Sequence, residues 1–288
     1  IDWKPQITNG DGDLSENSSE GVQMAVCEDA LIAVLPSGVL KEVPKKEFVY
    51  NWTKRARRDE KIFADKTMDS IKAIWPFSQS ADKIVISREG TAWYLLAEVS
   101  AEEFLQADEW EECRGTLAAG GLMIPCEKDA DSLICGAQNG DLVRLPAEKL
   151  CAWQGRQQIV RIGEAPLAAA CFCMATDDIL LISEKGQALR THVSDLYRRV
   201  DIGGGLTKGM RMKTGTDDRL RCCLVYQPKR SLTAISQQRK LLVLRVDGEE
   251  KAQLRAQGHV GEGVCLVLVE GSDGVADVLY ADQAVLLL

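Results

Sequence analysis

A chain of 288 residues, 45% apolar and without an apolar run of membrane-spanning length, holds enough material for one large β domain or two medium ones and excludes a helical membrane protein. Its net charge of −8 excludes attraction to nucleic acid over the whole surface. The charge is uneven, however: residues 1–150 carry 17 Lys/Arg against 27 Asp/Glu, residues 151–288 carry 18 against 16, and residues 185–230 carry 11 against 4, so one stretch can still attract an anion.

Ten cysteines without a small disulfide-rich framework point to a reducing, cytoplasmic setting. The first residue is Ile and no signal peptide is visible, so the chain reads as an excised domain entered through a linker. Residues 1–22, with Asp11, Asp13, Glu16 and Glu20 among Gly, Asn and Ser, read as an acidic flexible linker. Asp11 to Ser15 starts like a calcium loop, but Glu16 stands where glycine is needed and Val22 where the closing Glu belongs. Asn17-Ser18-Ser19 and Asn51-Trp52-Thr53 are chance matches to a glycosylation acceptor in such a setting.

From Glu28 onward a pattern repeats: acidic residues, a short apolar run, a turn with glycine, then a second strand. The first copy runs Glu28-Asp29, Ala30–Leu35, Gly38, Val39–Val43; the second turns at Gly90, the third at Gly140 and the fourth at Gly186. These glycines are 52, 50 and 46 residues apart, and each predicts a turn position of positive φ. A fifth copy lacks the glycine (Ser231–Ile235, then Leu241–Val246), and a worn sixth closes the chain (Val275–Tyr280, then Gln283–Leu288). Other columns agree: Lys41 stands three positions after its glycine, Arg144 and Arg190 four after theirs, and Pro44, Pro146 and His192 six after. A period near 50 residues with several short strands per unit is the mark of a radial β repeat, in which each small sheet buries its apolar face against its neighbours. Only Ser100 to Trp110 looks helical.

The units lack the Gly-His and Trp-Asp pairs of one common propeller class. The fourth, Gly186-Gln-Ala-Leu-Arg190-Thr-His-Val-Ser194-Asp195-Leu-Tyr197 followed by the glycine-rich basic loop Arg198–Gly209, resembles the repeat of the C-terminal domain of type IIA DNA topoisomerase A subunits, as in gyrase and topoisomerase IV. The first unit, Gly38-Val-Leu-Lys41-Glu-Val-Pro44-Lys-Lys-Glu47-Phe48, is similar to it too. The resemblance covers residues 25–288 and is weakest in the last two units. It implies an all-β, six-bladed β-pinwheel over residues 23–288, a propeller-like disc whose blades exchange strands and bend duplex DNA around the rim. Its implied partners are duplex DNA and, in the holoenzyme, the A-subunit N-terminal domain and the B subunit, with no membrane. The domain itself would hold no cofactor, ATP and Mg belonging to the holoenzyme. The box that marks gyrase is degenerate here: Thr53 to Lys61 keeps Lys54, Arg55, Arg57 and Arg58 but no glycine, which favours topoisomerase IV.

Phosphate neutralisation dominates DNA affinity, so the basic loops are the candidate contacts. One cluster is Lys54, Arg55, Arg57 and Arg58; the other is Arg190, Arg198, Arg199, Lys208, Arg211 and Lys213, with Lys41 and Arg144 at matching repeat positions. Gly203-Gly204-Gly205 lacks nucleotide-loop spacing and reads as a tight turn or a close approach to phosphate. Cys171-Phe-Cys173 and Cys222-Cys223 have no partner pair at zinc spacing and read as strand packing. His192 and His259 read as surface positions, and no catalytic constellation stands out. The rival reading is a propeller that binds other proteins through its acidic first half.

Overall fold

The computed structural model describes residues 23–26, 30–44, 72–152, 155–195, 200–213, 215–228, 230–238, 241–244, 254–258, 260–269, 271–280 and 284–287. The chain folds into a propeller-like ring of small sheets, antiparallel except for one short two-stranded pair. Strand β1 (Gln23–Val26) precedes a hairpin of β2 (Ala30–Val34) and β3 (Leu40–Pro44), and β4 (Ala73–Phe77) returns to the free edge of β2. The second hairpin is β5 (Lys83–Ile86) and β6 (Thr91–Leu95). Helices α1 (Ala101–Gln106) and α2 (Glu111–Ala118) follow, and then β7 (Leu122–Pro125) pairs with β5. The third is β8 (Ser132–Ala137) and β9 (Asp141–Pro146), followed by α3 (Ala147–Cys151), β10 (Gly155–Gln158), β11 (Val160–Arg161) and β12 (Leu167–Cys173). The fourth is β13 (Asp178–Ser183) and β14 (Gln187–His192), with β15 (Gly204–Gly205), β16 (Thr207–Lys208) and β17 (Leu220–Val225) behind it. The fifth is β18 (Leu232–Ser236) and β19 (Leu241–Leu244), then β20 (Val264–Cys265) and β21 (Val275–Tyr280). Strand β22 (Ala284–Leu287) pairs with β1 and so joins the two ends of the ring.

The sheet orders β10-β6-β5-β7, β12-β8-β9-β16 and β17-β13-β14-β20 share one rule. The fourth strand of each sheet comes from the segment that follows the next hairpin. Neighbouring blades are therefore tied by exchanged strands as well as by side-chain packing, as the sequence resemblance implies. The count differs from expectation. Among the described residues three sheets have four strands, two have three and two have two, so the structure does not show six four-stranded blades. The first and fifth hairpins lack a described fourth strand on β3 and β19, and the worn last copy is divided: Val275–Tyr280 (β21) completes the fifth sheet on β18, and β22 pairs with β1.

The central strands explain the continuous apolar runs of the sequence. All five residues of β2, all six of β8 and Ile179–Ser183 of β13 are buried, because each has a strand on both edges and a neighbouring blade over its faces. Separate apolar cores fill the gaps between blades: Ile134, Leu181 and Leu189 share the core between the third and fourth, and Leu180, Ala234 and Val278 that between the fourth and fifth. The helical expectation at Ser100–Trp110 is met by α1 and a 3-10 turn at Asp108–Trp110, with the Ser100 hydroxyl accepting from the Glu103 N–H at 3.1 Å. Helix α2 is an addition to that reading. Its two buried positions, Cys113 and Leu117, are four residues apart and too few to give a visible period.

Candidate nucleic-acid interface

The four turn glycines all take positive φ, +82° at Gly38, +85° at Gly90, +84° at Gly140 and +80° at Gly186. At three of them the exchanged segment lies directly against the turn. A Cβ on Gly90 would stand 2.5 Å from the Val160 carbonyl oxygen, one on Gly140 2.1 Å from that of Met210, and one on Gly186 1.9 Å from that of Val267. These three partners follow β10, β16 and β20 at equivalent places. The turn thus positions the segment that carries the fourth strand and, in the fourth repeat, the basic residues Lys208, Arg211 and Lys213.

Those three side chains are exposed. Lys208, on β16 and 76% exposed, has Asp141 at 3.0 Å across the ladder, and Arg211 has Glu262 at 4.0 Å. Lys213 lies five residues beyond Lys208, after buried Met210 has anchored the segment in the core between the third and fourth blades. Exposed pairs of this kind are weak, so these cations can exchange a carboxylate for a phosphate at little cost. Lys41, on β3 opposite Ala33, is also exposed.

Arg144 and Arg190 face a different way. The Arg190 Nε donates to Asp178 Oδ2 at 2.7 Å, a second nitrogen donates to the Leu254 carbonyl at 3.2 Å, and the guanidinium lies 3.9 Å over the Tyr226 ring. Asp178 also pairs with His192 Nδ1. The Arg144 Nε donates to the Ser132 hydroxyl at 2.8 Å, and its guanidinium reaches Asp131 at 3.6 Å, with only 11% of the side chain exposed. Both arginines therefore bind the acidic residue that opens their own hairpin. Burial works to raise the Asp131 carboxyl, but hydrogen bonds from the Ser132 hydroxyl and the Ala175 N–H, together with Arg144, hold it below the usual carboxylate range.

Lys54, Arg55, Arg57, Arg58, Arg198, Arg199 and His259 lie outside the described residues. Arg161 belongs to none of the basic clusters that the sequence marks. It is exposed on β11, its Nε donates to the Gly203 carbonyl at 2.8 Å, and β11 pairs in parallel with β15, so it shares a surface with the glycine run. No local pattern signals it, because the contact joins residues 42 apart. Gly203 has φ +82°, which fits the turn reading of that run. Among the described residues no group of three or more His, Cys, Asp or Glu side chains is placed to hold a metal ion, and no helix is long and apolar enough to cross a membrane.

Fold and site together define a class: a strand-exchanging, propeller-like ring with a cationic segment on the edge of one blade. The solved structure of a DNA gyrase A C-terminal domain shares this fold at a TM-score of 0.50, with 13% identity over 87% of this chain and 99% of that one. The crystal structure of a DNA topoisomerase IV C-terminal domain does so at 0.52, with 12% identity over 90% of this chain and 79% of that one. No family model matches the chain, and no curated protein matches it in sequence.

Proposed function

We propose that this chain is the DNA-binding C-terminal domain of a type IIA topoisomerase A subunit. Its rim holds a flank of duplex DNA, bends it and guides it as the segment to be transported during supercoil removal, decatenation or supercoiling. The observation that carries this reading is the set of exposed cations Lys208, Arg211 and Lys213, delivered to a blade edge by an exchanged strand in a fold shared with gyrase A and topoisomerase IV C-terminal domains. Phosphate contacts need cations at the surface, which these are and Arg144, with 11% of its side chain exposed, is not. The domain would contribute no strand-cutting or ATP-hydrolysing residue. Those functions belong to the A-subunit N-terminal domain and the B subunit of the holoenzyme, with ATP and Mg there. The degenerate box at Thr53–Lys61 favours topoisomerase IV over gyrase and weaker bending than a gyrase domain gives.

A second reading, a platform for protein partners, is favoured by the insertion α1–α2. It carries Glu102, Glu103, Glu111 and Glu112, whereas the third hairpin is followed by the single short helix α3 and the fourth by a 3-10 turn. Binding of a labelled duplex over a series of salt concentrations separates the two. A linear fall of log affinity with log salt is expected for the rim. Absence of duplex binding at low salt leaves the platform reading in its place.

A further inference from the structure

Cys171 on β12 and Cys223 on β17 bring their sulfurs to 3.1 Å. The two strands belong to different blades: Cys171 is in register with Ile134 of the third hairpin and Cys223 with Leu181 of the fourth. The contact spans the apolar core between these blades, where Cys173, Met210 and Leu220 also pack. We propose that Cys171 and Cys223 form a reversible disulfide that staples the third blade to the fourth when the protein meets a hydroperoxide. It closes a loop of 52 residues that holds the whole fourth hairpin. The inference stands whether or not the rim binds DNA.

The chemistry balances with the peroxide as two-electron oxidant. Cys171 is the less buried residue of the two, since Cys223 is only 5% exposed, although the Cys171 thiol itself lies within the core. Its thiolate attacks the peroxide's terminal oxygen. The O–O bond breaks, an alcohol leaves after taking a proton, and Cys171 becomes a sulfenic acid. The Cys223 sulfur then attacks the Cys171 sulfur, the S–O bond breaks and water leaves. Two thiols lose two electrons in total, and the peroxide is reduced to alcohol and water. Cys173 is a poor rival. It is two residues along the same strand, near the upper limit of the Cα separation a disulfide spans.

Only the thiolate reacts, and the environment sets its supply. A hydrogen bond with Cys173 lowers the Cys171 thiol, but the Cys223 sulfur and burial outweigh it and leave it well above the ordinary value. Oxidation is therefore slow at neutral pH and quickens about tenfold per pH unit while the thiol remains largely protonated.

The test treats the whole chain with hydrogen peroxide at pH 7, 8 and 9, alkylates the remaining thiols, digests without reduction and maps linked peptides by mass spectrometry. The expected result includes one linked pair, Cys171 with Cys223, reversed by a dithiol reductant; exposed Cys151, whose thiol a hydrogen bond with Cys126 lowers to about 7, reacts apart from it and sooner. The thermal midpoint should rise by several degrees on oxidation and return on reduction, because a closed loop restricts the unfolded chain. Cys171→Ser or Cys223→Ser should abolish the link, whereas Cys151→Ser should keep it. The mapping of the unmutated chain decides even if a variant fails to fold. A missing link between Cys171 and Cys223, arrest at a Cys171 sulfenic acid, an unchanged midpoint, or a rate of that link that does not rise with pH would overturn the staple.

Discussion

The Gly186 carbonyl accepts the Val267 N–H at 3.0 Å while the Val267 carbonyl fills the space where a Gly186 side chain would begin. The second repeat has the same arrangement, with the Gly90 carbonyl accepting from Ile159 at 2.9 Å and Val160 at 3.3 Å. One residue thus makes the hairpin turn and receives the exchanged segment.

Gly186→Ala should therefore cost more than a positive φ alone, which is worth about 1–2 kcal/mol. With the clash of backbone on side chain added, a loss of about 2–4 kcal/mol is expected. Gly38→Ala is the matched control, since among the described residues its nearest neighbour is the Ala118 Cβ at 3.9 Å. Urea unfolding of the two variants checks this. Equal losses would show that the close approach contributes nothing.

Much of the fold is legible in sequence for the same reason that this glycine is. A turn needing positive φ between two apolar runs leaves a local signature, and Gly38, Gly90, Gly140 and Gly186 all carry it. The exchanged strands leave none. Thr207–Lys208 and Gly155–Gln158 are short and polar, and their partners lie more than 60 residues away in sequence. The same distance effect hides Arg161. Asp178 is visible as part of a repeated acidic pair, but pairing of Asp178 with Arg190 depends on the pleat placing both on one face of the hairpin, and the repeat column alone marks only a cation.

That pairing sets a second expectation. Removing Arg190 leaves the Asp178 carboxylate, with 11% of its side chain exposed, without its main partner. Arg190→Ala should cost about 1–3 kcal/mol, a magnitude discounted for the 26% exposure of the arginine. Thermal unfolding measures it. A variant as stable as the parent would show that the ion pair and the contact with Tyr226 contribute nothing net.

The Asp131 carboxyl adds a pH dependence. Its folded pKa lies below the unfolded value of about 3.9, so its stabilisation is complete above that value and is lost as pH falls through the folded one. Asp131→Asn should lower stability at pH 7, and the gap from the parent should close in acid. A gap that is constant from pH 7 to pH 2 would contradict the assignment.

The rim reading makes the sharpest demand, because a chain of net charge −8 repels DNA as a whole and must bind through a local arc. Each phosphate that is no longer neutralised should reduce the log–log salt slope by about 0.9. Lys208→Ala, Arg211→Ala and Lys213→Ala together should weaken duplex binding and flatten the slope by about 2 to 3. Their exposed side chains touch little of the core, so the melting temperature should hardly move. The triple change Arg55→Ala, Arg57→Ala and Arg58→Ala should do the same if the first loop joins the arc. Sequence preference should stay flat in both, since phosphate contacts do not read bases. Arg144→Ala is the contrast: its side chain is held by Ser132 and Asp131, so stability should fall while the salt slope of the folded protein stays within about half a unit of the parent. A fluorescence-anisotropy salt series on the parent and these variants measures every slope. An unchanged slope after removal of the Lys208, Arg211 and Lys213 side chains would exclude the exchanged segment from the interface.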